Sequence, residues 1–136
     1  MRKVIIGLLA GFIMLAVQMI VMKIFLYSFP SIQVEYENTN IFRSWSDPIM
    51  LIVFIEPFIL GLILAWLWDF TKSKIRGVTL TNKGIYFGYY YWLITIPGML
   101  MAYGSFQLSV TIVVSWSTTL FFQAICSGIF FSKLLK

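Results

Sequence analysis

Residues 54–69 read FIEPFILGLILAWLWD. One carboxylate, Glu56, and one proline, Pro57, interrupt a run that is otherwise apolar until Asp69. Composition decides whether this is a soluble core helix or a membrane span. The chain has 136 residues, 60% of them hydrophobic and only 11% charged, whereas a soluble domain carries about 25% charged residues. A spanning helix needs about 20 mostly apolar residues to cross about 30 Å of hydrocarbon. Four stretches qualify: 4–27, 48–70, 84–103 and 108–131. The expected fold is therefore all-α, a single polytopic domain of four transmembrane helices in an antiparallel bundle. That leaves an outer loop at 28–47, a basic loop at 71–83, a tight connection at 104–107 and a short tail.

The opening MRKVIIGLLAGFIMLAV has the charged start of a signal peptide, but its apolar run is too long for one and no small-x-small cleavage site follows. It reads as a retained first span. Arg2, Lys3, Lys72, Lys74, Arg76, Lys83, Lys133 and Lys136 all fall on one side of the expected spans, and positive residues in short loops stay cytoplasmic. Both termini are then cytoplasmic, in the inner membrane of what we expect to be a bacterial cell. The formal net charge of +5 is explained by this anchor, so no nucleic-acid partner is invoked. The expected partners are the bilayer, anionic headgroups meeting Lys72, Lys74, Arg76 and Lys83, and a homo-oligomer or larger membrane complex.

Small residues mark where helices meet, because in lipid there is no hydrophobic gain from helix contact and close backbone approach supplies the attraction. Gly7 and Gly11 form a GxxxG pair, Gly61 and Ala65 a second small pair, and Gly84 and Gly88 a third. The face of Gly61 and Ala65 lies roughly opposite Glu56, which suggests contacts beyond one bundle. Pro57, and the pair Pro97 and Gly98, are expected to kink or loosen their helices. Aromatic residues such as Trp66, Trp68 and the tyrosines at 86 and 89–91 are expected near the cytoplasmic headgroups.

Polar groups inside the spans are few. Counted inward from the outer ends, Gln18, Glu56, Thr95 and Ser115 all lie roughly 10 to 14 Å deep at about 1.5 Å per residue. These four are the candidate ligand or proton site, a polar layer centred on Glu56. A plainer reading makes them interhelical hydrogen bonds that fix register. Pro57 frees the carbonyl of Val53, and a protonated Glu56 could donate to it, so Glu56 could also be a local repair of a proline break.

Inventory excludes several chemistries. There is no histidine and only one cysteine, Cys126, so imidazole as a haem ligand, zinc ligand or proton shuttle and a CxxC redox pair are absent. No phosphate-binding glycine loop, nucleophile elbow or paired carboxylates occur. No metal, cofactor or catalytic residue is expected. The reading is a non-enzymatic binding or accessory subunit of a membrane assembly, with a small-solute or proton-coupled transporter using Glu56 as the alternative.

Overall fold

The computed structural model describes residues 1–135. Its elements, in chain order, are α1 (Arg2–Ser28), α2 (Ser31–Tyr36), a 3-10 turn (Pro48–Leu51) leading into α3 (Ile52–Thr71), α4 (Leu80–Ser105) and α5 (Val110–Leu134). Three segments are long and apolar enough to cross a membrane: Arg2–Ser28, Pro48–Thr71 and Val110–Leu134. The expected third span falls in α4. That helix has 26 residues, about 39 Å at 1.5 Å per residue, but it carries Tyr86, Tyr89, Tyr90, Tyr91 and Tyr103 and is not among the three segments apolar enough by composition.

Helix ends follow local chemistry. Phe29 is extended before Pro30, where proline disfavours helical geometry in its predecessor, so α1 stops there. Asp47 accepts a hydrogen bond from the Ile49 amide at 2.9 Å with Pro48 in the first turn, where a missing N–H removes nothing. Thr79 caps α4 by accepting from Asn82 N, and Ser109 caps α5 by accepting from Ile112 N. Glu35 of α2 reaches across to accept from the Ser109 amide at 2.7 Å, placing a carboxylate at the positive end of α5. The outer segment is thus no plain loop.

Three helix contacts dominate: α4 with α5, α1 with α3, and α1 with α5. Glycine sets the first two. A Cβ on Gly61 would lie 2.4 Å from the Gly7 carbonyl oxygen, and one on Gly11 would lie 2.7 Å from the Phe58 Cα. On the other side, a Cβ on Gly88 would lie 2.5 Å from the Ala124 oxygen and one on Gly128 2.2 Å from the Gly84 oxygen. In each pair the residue numbers run in opposite senses. The face of Gly61 and the buried Ala65 is therefore occupied by α1 of the same chain, and the suggestion that it reaches a second chain loses its basis.

Side chains fill the half of the molecule nearest the termini. Ala10, Met14, Leu64, Trp68, Phe87 and Phe131 form one buried cluster, with Trp68 edge-on to Phe87. Trp68 is 1% exposed and donates to the Leu135 carbonyl at 3.0 Å. It is a packed anchor between helices; Trp66, two residues earlier and on the outside, is exposed and stacked on Phe70. A second cluster, Ile32, Leu108 and Ile112, holds α2 against the opposite end.

The basic ends gather at the terminal side. Lys3 and Lys72 both pair with Asp69, Arg2 donates to the Leu134 carbonyl, and Lys74 lies over the Phe70 ring. Arg76 borders a shallow cleft with Asn82, Tyr86 and Tyr90, while half-buried Lys83 packs on Gly77.

Candidate functional site

Both prolines lie inside unbroken helices. Pro57 is buried, and its ring withholds the N–H that the Val53 carbonyl would accept. The repair comes from another helix: Gln18 Nε2 of α1 donates to Val53 O at 3.4 Å. Glu56 makes no hydrogen bond to any described residue, so the local repair by its own carboxyl is overturned. Pro97 is exposed, and Gly98 has open space where a Cβ would stand.

The amide of Gln18 is held in turn. Gln123 of α5, only 2% exposed, donates from Nε2 to Gln18 Oε1 at 3.3 Å and to the Met14 carbonyl at 3.0 Å. Gln123 belongs to a stripe spaced by four: Ser115, Thr119, Gln123, Ser127. The Thr119 hydroxyl donates to the Ser115 carbonyl and the Ser127 hydroxyl to the Gln123 carbonyl. Each small hydroxyl thus satisfies itself on its own helix, leaving the two glutamines to link α1, α3 and α5. Gln123 was missed in the sequence as a central residue. Its i, i+4 spacing with the serines and threonine of α5 is the signal that locates it.

Above this junction, away from the termini, opens a cavity of about 430 Å³, within the range of pockets that hold small molecules. Gln18, Glu56, Ser115 and Gln123 all border it. Thr95 does not. Its hydroxyl donates to the Trp92 carbonyl of its own helix, and Met99, one turn on, is the residue of α4 that reaches the cavity. The expected layer is corrected in two respects: its interior centre is the pair Gln18–Gln123, and Glu56 is exposed at the rim.

The outer segment roofs the cavity. Tyr36 and Phe42 pack together and against Trp116, and Trp116 Nε1 donates to the Tyr36 hydroxyl at 2.8 Å. Burial pushes the Tyr36 phenol above its ordinary pKa, partly offset by the hydrogen bond from Trp116. Arg43 stands at the mouth and pairs with Asp47 at 3.1 Å. The Asp47 carboxyl is held below its ordinary value by the Ile49 amide and then by Arg43. α3 leans on α1 and α4 on α5; α3 and α4 meet through Trp68 and Phe87 near the far end. Glu56 of α3 and Met99 of α4 both line the cavity.

Among the described residues no three His, Cys, Asp or Glu side chains come together as a metal site. Comparison with protein-family models, curated proteins and solved structures finds no match to this chain, so the site rests on its own residues.

Proposed function

We propose that the chain is a four-span, antiparallel inner-membrane protein, non-enzymatic, that binds a small amphiphilic molecule in its outer cavity, by itself or as a subunit of a larger assembly. α4 is its fourth span: its tyrosines sit where rings favour the headgroup level, and it is packed along α5 through Gly84, Gly88 and Gly128. The end bearing Arg2, Lys3, Lys72, Lys74 and Arg76 faces the cytoplasm and its anionic headgroups, which puts the cavity on the outer side. A bacterial host fits this reading.

The observation that carries the proposal is the cavity: mostly apolar walls, a few convergent polar groups and a roof assembled from α2 and Trp116. Such a lining suits binding with fixed orientation. Catalysis is not supported, because the Ser115 hydroxyl donates to the Ile112 carbonyl and no base stands beside it. Thr119→Phe, which fills the cavity, provides the test. In nanodiscs the wild-type chain should bind a small aromatic probe saturably, read by tryptophan fluorescence, and the variant should not. Identical binding by both proteins, or none by either, would defeat the proposal.

A transporter using Glu56 is the second reading, favoured by the unpaired carboxylate alone. It requires a path past Met14, Leu64, Trp68 and Phe131, each at most 1% exposed. Proton-coupled uptake that vanishes in Glu56→Gln would establish it; its absence in reconstituted vesicles would leave binding.

A further inference from the structure

Resting on the cavity-binding reading, we infer that the ligand is a lipophilic organic cation, an amine or quaternary ammonium with an apolar body, whose charge sits at Glu56. Two cavity-lining residues, Glu56 and Arg43, bear full charges among those described. Arg43 is already neutralised by Asp47 at 3.1 Å, whereas Glu56 has no hydrogen-bonding or ionic partner in the described chain. The cavity is left with one carboxyl group that has no basic partner in the described chain. A carboxylate at this depth is costly without a counter-charge, and Lys23, the nearest unassigned cation of α1, is exposed and does not border the cavity.

The walls suit the rest of such a molecule. Phe25, Phe42, Trp45 and Trp116 supply aromatic faces, which attract ammonium groups through the ring quadrupole. Met22, Met50 and Met99 supply polarizable, adaptable surface. Glu56 is exposed at the cavity rim, so a cationic head can meet the carboxylate while the apolar body lies against these walls.

The test uses benzyltrimethylammonium, its neutral carbon isostere neopentylbenzene, and benzenesulfonate, each titrated into the full chain in nanodiscs of zwitterionic lipid. The cation should bind saturably, and Glu56→Gln should weaken it by about tenfold or more, the scale of one poorly screened charge contact, while leaving neopentylbenzene unchanged. Glu56→Asp should retain part of the preference. Because Glu56 accepts no hydrogen bond from any described residue, Glu56→Gln should unfold thermally like the wild type, which separates lost binding from lost folding. Equal affinity of the cation for wild type and Glu56→Gln, with neopentylbenzene still bound, overturns the charge assignment and spares the cavity reading. Preference for benzenesulfonate overturns it in favour of Arg43. Saturable binding of none of the three overturns both.

Discussion

Adding one methyl group at Gly61 should separate the two helices that carry Gln18 and Glu56. A Cβ there would meet the Gly7 carbonyl oxygen at 2.4 Å and the Gly11 amide nitrogen at 2.9 Å. Both are backbone atoms of α1, so no side chain can rotate out of the way. Ordinary contact begins near 3.4 Å, and α1 and α3 must therefore part by about 1 Å, which forfeits roughly a quarter to a half of the dispersion well at each facing atom pair. In lipid nothing replaces it, since helix association depends on that packing. Overpacking of this kind costs about 1 to 3 kcal/mol, against a gain of about 1 kcal/mol from replacing glycine by alanine within a helix. Gly61→Ala should therefore lose up to about 2 kcal/mol net. Gly98→Ala is the internal control: nothing lies within 4 Å of its Cβ position, so only the helix-propensity gain remains and stability should hold or rise by up to about 1 kcal/mol. Reversible unfolding in mixed dodecyl sulfate and mild detergent micelles, followed by tryptophan fluorescence, measures both. If Gly61→Ala and Gly98→Ala unfold at the same denaturant fraction, glycine contact does not hold α1 against α3 and the described interface is wrong.

Gln18→Leu should destabilise by about 1 to 3 kcal/mol, because it strands the Val53 carbonyl and removes one acceptor of Gln123, whereas Thr95→Val should stay within about 0.5 kcal/mol; the same unfolding assay ranks them, and the reverse order would be evidence against the glutamine junction. Trp68→Phe keeps an aromatic side chain but loses the bond to the Leu135 carbonyl and leaves a cavity where the indole was, a loss of more than about 1 kcal/mol, and should speed carboxypeptidase trimming of the C-terminal end. Alkaline pH should release the roof: the Tyr36 phenol is raised in the folded chain, so its stabilising effect is complete below the unfolded value of about 10 and fades as pH climbs through the folded one. Protease cleavage within residues 37–46 should increase above about pH 10, and a Tyr36→Phe chain should lack that pH response. Asp47 works in the other direction, its depressed pKa giving a cap that is intact above about pH 4 and lost as pH falls below it; hydrogen exchange at Ile49 should accelerate there.

Much of the frame could be read from residue types. Long apolar runs, the Asp-Pro start of the second span and the small-residue pairs are local signals, and they report directly on helices and on faces that allow close approach. Glu56, Gln18 and Ser115 were grouped by their count from the helix ends, and all three border the cavity. What could not be read was rotation and partner. Thr95 shares the depth of the others, but a hydroxyl can satisfy itself one turn back, and its sequence position does not say whether it does. Gln123 lies deeper and so fell outside the layer, although a long amide reaches carbonyls that a serine cannot. The roof was hidden for another reason: six residues of α2 are too few to show periodicity, and they are ordered by Ile32 and Tyr36 contacting residues about 80 positions away.

Pro57 explains why Glu56 stands unpaired. A proline in a membrane helix leaves an acceptor that lipid cannot satisfy, and the carboxyl next door would be the nearest remedy. Gln18 provides that remedy from another helix, and Gln123 holds Gln18 in place from a third. Two uncharged amides thus complete the hydrogen bonding of the junction without drawing on the carboxylate. A carboxyl that neither closes the proline gap nor binds a described neighbour stays available at the cavity rim to whatever enters the cavity. Loss of Glu56 should then leave folding intact and remove binding, whereas loss of Gln18 should weaken both.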